Sequence, residues 1–155
     1  MLRIRLDVPV VAQEKANCCW HTAAYMIWLY SQGQSGRAGP MNTVANAYAI
    51  SDATPLQYAQ YITLAKKVGL TSLPVKSQHL ELDLHGYLRD FGPVWCNGLW
   101  FGPGHCIVLT GIDGSKVYFN DPDGGVKKEN TVKWFNEKLF TQWIGCLMVK
   151  DPSRY

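Results

Sequence analysis

No apolar run in this chain reaches the roughly 18 residues that a membrane-spanning helix needs. It does not open like a secretory signal either. "MLRIRLDVPVV" alternates Leu2, Ile4 and Leu6 with Arg3, Arg5 and Asp7, the period of a strand, and carries no apolar h-region. A large excess of one charge is also missing. The 15 Lys and Arg against 12 Asp and Glu leave +3 over 155 residues. No Lys/Arg stripe interleaved with aromatics runs along any segment, so nucleic acid is not an expected partner. The longest basic cluster, Lys127-Lys128, reads as a solvated turn.

Cysteines are few and irregular. The five stand at 18, 19, 96, 106 and 146. An odd count without regular spacing argues against a disulfide framework, so reduced thiols are expected. There is no CxxC pair, and adjacent cysteines are poorly placed to chelate one zinc ion, so no metal or other cofactor is expected. The acidic run "NDPDGG" is not a calcium loop, because Gly125 and Val132 stand where an EF-hand needs Asp or Asn and Glu. Internal repeats and low-complexity tracts are absent. A single domain over 1–155 is expected, long enough to bury roughly 70% of its extended surface.

Within that domain the pattern changes once. Asn17 reads as the N-cap of a helix over 18–31, with Trp20, Ala23, Ala24, Ile27 and Trp28 on one apolar face. A short helix over 41–49 and another opened by Thr54-Pro55 and closed by Gly69 follow. "LELDLHGYLRDFG" satisfies both helix and strand periods, and helix is preferred. From Gly92 the chain is made of short β-rich runs, "GPVWCNGLWF", "HCIVLTGI" and "KVYFND", separated by Gly, Pro and Asp turns. A helix over 131–139 and a strand at "IGCLMVK" complete it. These observations predict an α+β fold: a helical lobe (1–91) and an antiparallel β-sheet lobe (92–155).

The chemistry concentrates at "NCCWH" (17–21). Cys18 and Cys19 both fall in the first turn of a helix, where orphan N–H groups and the helix dipole favour a thiolate. The helical wheel separates them. Cys18 falls with His21, Thr22 and Tyr25, opposite the apolar stripe, whereas Cys19 lies at the edge of the stripe, where a nucleophile could face a cleft. The competing reading is an ordinary buried cysteine.

A thiol nucleophile needs a base, and the base needs an orienting group. His21 is too close in sequence to Cys19 to face it, and His79 and His85 have no evident partner. His105 opens the strand "HCIVLTGI" at the rim of the sheet. Asp121 ends the next strand. A three-residue loop at Ile112-Asp113-Gly114 would set His105 opposite Asp121, whereas a two-residue Asp113-Gly114 turn would put them on opposite faces. Asp121 also has a plain reading as turn chemistry. Cys96, Cys106 and Cys146 read as core.

Gln13, six residues before Cys19, together with a Cys19-Trp20 helix start, His105 after a glycine, and Asp121-Pro122 after the next strand, resembles the papain-like cysteine proteases. The later half is similar to compact bacterial members, the effector proteases of plant pathogens and the bacteriocin-leader peptidase-like group, which use His and Asp where papain uses His and Asn. That resemblance spans Val8 to about Asp123 and is sparse between Ser31 and His79. It implies an active site between the helical and sheet lobes, with Cys19 as nucleophile, His105 as general base and Asp121 as its orienter. Gln13 would be an oxyanion-hole donor.

The reaction it implies is cleavage of a protein substrate through a thioester. Trp20, Trp95 and Trp100 are candidates for a substrate groove, with a sheet core as the competing reading for the last two. Only 18 residues precede Cys19, and the family pattern does not include Cys18. With no signal peptide, the expected setting is a monomeric bacterial effector or toxin. A secretion system would deliver it into a target cell's cytoplasm, and a cognate immunity protein would restrain it. The same Cys/His/Asp geometry also serves amidases, deamidases and acyltransferases, and a catalytically idle binding module is a further alternative.

Overall fold

The computed structural model describes residues 2–37 and 39–155. Among these residues seven strands form one antiparallel sheet: β1 (Arg3–Arg5), β2 (Leu70–Ser72), β3 (Val94–Gly98), β4 (His105–Asp113), β5 (Lys116–Asp121), β6 (Val126–Thr131) and β7 (Leu147–Lys150). Their order is β2-β7-β3-β4-β5-β6, with β1 paired to β4. β4 is long enough to serve two partners on one edge. Its first half pairs with β3, and its last residues pair with β1.

Five helices among the described residues accompany the sheet: α1 (Cys19–Ser35), α2 (Ala45–Ala49), α3 (Tyr61–Val68), α4 (Glu81–Phe91) and α5 (Val132–Lys138). The α+β class and the antiparallel sheet are as expected. The division at residue 91 is not. β1 and β2 come from the first 91 residues and join the sheet, and helices cover both of its faces. On one face Trp95, Cys106, Val108 and Met148 pack with Trp20, Ile27, Leu64 and Val68. On the other, Val94, Cys96, Ile107, Leu109 and Val149 pack with Leu84, Leu88 and Phe135. Burial on both faces explains why β4 reads as a nearly unbroken apolar run rather than an alternation.

Four local expectations need correction. Asn17 does not cap α1. Its amide hydrogens are used across the chain, N–H to Ser51 O at 2.7 Å and Nδ2 to Asp52 O at 3.3 Å, and Cys18 stands at the cap position. α1 also runs past residue 31 until Gly36, whose φ of +68° ends it in the left-handed region. Thr54-Pro55 does not open a helix; a 3-10 turn at Tyr58–Gln60 leads into α3. Finally, Lys127-Lys128 is not a turn but the start of β6, an edge strand whose polar sequence carries no period-2 apolar signal.

The segment ahead of α1 sets where Cys19 sits. Val8 is buried, Leu6 N–H bonds to Thr110 O at 2.8 Å and Gln13 N–H to Pro122 O at 2.8 Å. The chain is therefore pinned along the sheet before turning into α1, and Ala12 lies against Gly125 so closely that a Cβ there would meet the Ala12 nitrogen at 2.9 Å. α1 is covered by this segment and the sheet together, which is why Thr22 and Met26, off the apolar stripe, are buried as well.

Candidate active site

Cys19 is the first residue of α1, and its N–H lies in the turn that has no intrahelical acceptor. Its Sγ accepts the Cys106 backbone N–H at 3.4 Å, which docks the helix start against the first residues of β4. His105, one residue earlier on β4, turns to the opposite side of the strand. Its Nε2–H donates to Asp121 Oδ1 at 2.6 Å, leaving Nδ1 as the nitrogen available to Cys19. Asp121 is almost fully buried, and its carboxylate also accepts the Asp123 N–H at 2.9 Å and the Lys128 ammonium at 2.8 Å.

The geometry between His105 and Asp121 arises differently from the expected loop. Asp113 pairs with Lys116, so the turn is two residues, Gly114-Ser115, with Gly114 at φ +57°. Such a turn alone would put Asp121 on the far face. A β-bulge between Leu109 and Gly111 adds one residue to β4 and shifts the register back, so that Leu109 faces Phe119 and Val108 faces Asn120. His105 and Asp121 then share a face as diagonal neighbours.

Charge reinforces the arrangement. The Cys106 side chain, the His105 imidazole and the Cys106 N–H together outweigh burial and bring Cys19 down to about 5. Burial pushes His105 down, but hydrogen bonds to Asp121 and Cys19 and the attraction of the thiolate bring it up to about 9. The acid strengths are thus inverted from their free-residue order, and a thiolate–imidazolium pair is the stable form between them. Cys106 itself is held well above its ordinary value, chiefly by burial and then by its hydrogen bond with Cys19, so it stays a thiol and donates. Asn97 Nδ2–H donates to the Cys106 sulfur at 3.0 Å. Cys106 is therefore buried, as expected, but it belongs to the site and not only to the core.

Beside these residues lies a cavity of about 790 Å³. Gln13 and Trp20 line it, as do Tyr58, Phe101 and Phe140. Gln13 is in place, but both hydrogens of its amide are used, Nε2 donating to Lys15 O at 2.9 Å and to Ala16 O at 2.8 Å. In this conformation it offers no donor to an oxyanion, and one of those bonds must open for it to do so. Trp95 and Trp100 do not line the cavity. Trp95 is fully buried with its indole N–H on Trp20 O at 2.9 Å, and Trp100 bonds Phe135 O at 3.1 Å.

The aromatic wall that does line it, Tyr58 with Phe140, is not visible in the sequence. Tyr58 reads there as one more apolar position in register with Tyr61, and the two stretches of chain meet only in the fold. Cys18 has a structural part to play, because its Sγ accepts the Lys15 N–H at 3.3 Å and closes the turn that leads into α1. His21 Nδ1 bonds Thr43 Oγ1 at 2.9 Å, and His79 Nδ1 bonds the Tyr87 hydroxyl at 3.0 Å, both away from Cys19.

Comparison with known families bears on this arrangement directly. Residues 2–140 match the family described as papain-like cysteine protease AvrRpt2. The chain belongs to that family. It is a papain-like cysteine peptidase, and the fold agrees. Its structure is similar to the crystal structure of a double glycine motif protease from an AMS/PCAT transporter in complex with the leader peptide. The TM-score is 0.56 at 17% identity, over 94% of this chain and 91% of that one. No curated protein matches. The candidate site of this papain-like protease lies at the start of α1 and of β4, where the helix layer meets the rim of the sheet.

Proposed function

We propose that Cys19 attacks the carbonyl of a peptide bond in a protein substrate, with His105 and Asp121 as its base and orienter. The inverted acidities of Cys19 and His105 beside an open cavity carry this reading. The Cys19 thiolate forms the S–C bond, and the His105 imidazolium gives its proton to the leaving amine as the C–N bond breaks. Water then enters: His105 takes its proton, the hydroxyl adds to the carbonyl carbon, and the S–C bond breaks to free the acid. The Cys19 N–H, unpaired within α1, is the first oxyanion donor. Gln13 joins it once a substrate draws its amide from Lys15 O or Ala16 O.

The substrate is a protein segment in extended form, held against Tyr58 and Phe140. That the similar double glycine motif protease was solved in complex with the leader peptide supports a peptide as the ligand. The setting we propose is that of a delivered bacterial effector or toxin acting in a target cell's cytoplasm, restrained by an immunity protein in a bacterial producer. The likeness to effector proteases supports it.

Intracellular expression and digestion of a lysate test both levels. Cys19→Ala and His105→Ala are expected to lose toxicity and proteolysis, the second by about 10²–10⁴-fold, while Cys18→Ala keeps its cleavage. Full activity in Cys19→Ala would overturn the mechanism. Release of peptidoglycan peptides without protein cleavage would transfer the same chemistry to an amidase.

A further inference from the structure

Among the described residues Asp121 has two cationic partners, and only one of them belongs to the proposed reaction. His105 Nε2 donates to Oδ1 at 2.6 Å, while Lys128 Nζ donates to Oδ2 at 2.8 Å. The carboxylate is 2% exposed and the Lys128 side chain 38%. Lys128 reaches inward from β6 across Phe101, its Nζ 4.5 Å from the ring centroid. Phe101 in turn meets His105 edge to face at 5.7 Å. The lysine stem and the phenyl ring thus roof the His105–Asp121 pair on its solvent side.

A buried carboxylate is costly without a cation beside it. In the resting state His105 is that cation. After the imidazolium has protonated the leaving amine, His105 is neutral, and the acyl-enzyme waits for water with Asp121 still buried. Lys128 takes no part in that proton transfer, and its Nζ stays against Asp121 Oδ2. Burial raises Asp121, yet hydrogen bonds from His105, Lys128 and the Asp123 N–H bring it below its ordinary value.

We infer that Lys128 is a positioning residue acting through Asp121: it holds the carboxylate ionised and fixed in plane while His105 alternates between imidazolium and imidazole. This rests on the reaction proposed above. Without Lys128 the carboxylate depends on the imidazolium alone, so His105 should release its proton less readily. The charged groups around His105 include Cys19 from α1 and Asp121 from β5, with Lys128 of β6 behind Asp121, and Glu14, Lys15 and Asp123 line the same cavity.

Lys128→Met and Lys128→Arg separate this from a packing role. In Lys128→Met kcat should fall by about tenfold with KM little changed, and the alkaline limb of the kcat profile should move to higher pH. Lys128→Arg should restore both. NMR titration of the His105 imidazole in Cys19→Ala, with and without Lys128→Met, gives a reading that needs no turnover. The double variant should titrate higher by about half a pH unit or more. An unchanged or lower midpoint, or wild-type kinetics in Lys128→Met, overturns the inference. Full activity in Cys19→Ala would overturn the reaction scheme instead, leaving the titration to be judged separately. If Lys128→Met does not fold, Lys128→Gln carries the same comparison.

Discussion

Cys106 does most to make Cys19 acidic, although nothing in its sequence context marks it. Its side chain donates toward the Cys19 sulfur, its own thiol held protonated by burial and steadied by Asn97. Removing that donor while leaving the backbone N–H should raise Cys19 from about 5. The thiolate forms as pH rises through that value, so the acid limb of kcat/KM in Cys106→Ala should move to higher pH. Cys106→Ser, which keeps a donor, should move it less. Identical acid limbs in all three proteins would show that Cys106 only fills space. Cys19 itself is legible because a helix start, a helical wheel and Gln13 upstream all converge on it. Cys106 is not, because a residue facing away from the histidine beside it reads as core, and only the docking of α1 under β4 turns that inner face into part of the site. Gln13 is legible in place but not in conformation. Its amide is taken up by Lys15 and Ala16 carbonyls that no spacing rule could point to.

Among the elements, β4 and β5 show how a correct pairing can rest on an unforeseen path. A residue count from the turn admits either face for Asp121, and the bulge between Leu109 and Gly111 decides it. A bulge in an apolar strand has no sequence signature comparable to Gly-rich turns, so this step is invisible in the sequence. β6 escapes for the opposite reason: an exposed, lysine-bearing edge strand lacks the apolar period that marks strands. The helices are the better legible part, since their 3.6-residue stripes are local, but which face of the sheet they cover is not local. α4 and α5 are joined to the segment before them by a small polar knot. Asn136 Oδ1 accepts the His79 N–H at 2.6 Å and its Nδ2 donates to His79 O at 2.8 Å, while His79 Nδ1 meets the Tyr87 hydroxyl. Burial first, then the charge of Lys76, brings His79 down to about 4. An unfolded chain binds its proton near the ordinary value of 6.5, so between these values the unfolded state holds more protons. The stability owed to neutral His79 is therefore complete above about 6.5 and lost as pH falls toward 4. Chemical denaturation across that range should show a steeper acid loss in the wild type than in His79→Gln. Asn136→Ala should cost about 1–3 kcal/mol at neutral pH through the unpaired His79 backbone. Equal pH slopes for wild type and His79→Gln would remove His79 as the cause.

At the scale of the whole molecule, the inverted acidity of Cys19 and His105 belongs to neither lobe. Cys19 arrives on α1 from one side of the sheet and His105 on β4 from its rim, and the pinned N-terminal segment sets the distance between them. Only the folded chain has a thiol that ionises at about 5; the same sulfur free of its partners returns to 9.0. Burial raises the thiols of Cys96 and Cys146, to about 11 for Cys146, and raises that of Cys106 as well. Alkylation with iodoacetamide at pH 6, read by peptide mass spectrometry in a Cys18→Ala background, should therefore mark Cys19 alone in the native protein. In denaturant at the same pH that selectivity should vanish, with all four remaining thiols reacting slowly and alike. His105→Ala should shift the native result part of the way toward the denatured one, because the imidazolium contribution is lost while the Cys106 donors remain. If Cys19 labels no faster in the native protein than in the denatured one, the thiolate–imidazolium pair does not form, and the juxtaposition of α1 and β4 would have to serve packing alone.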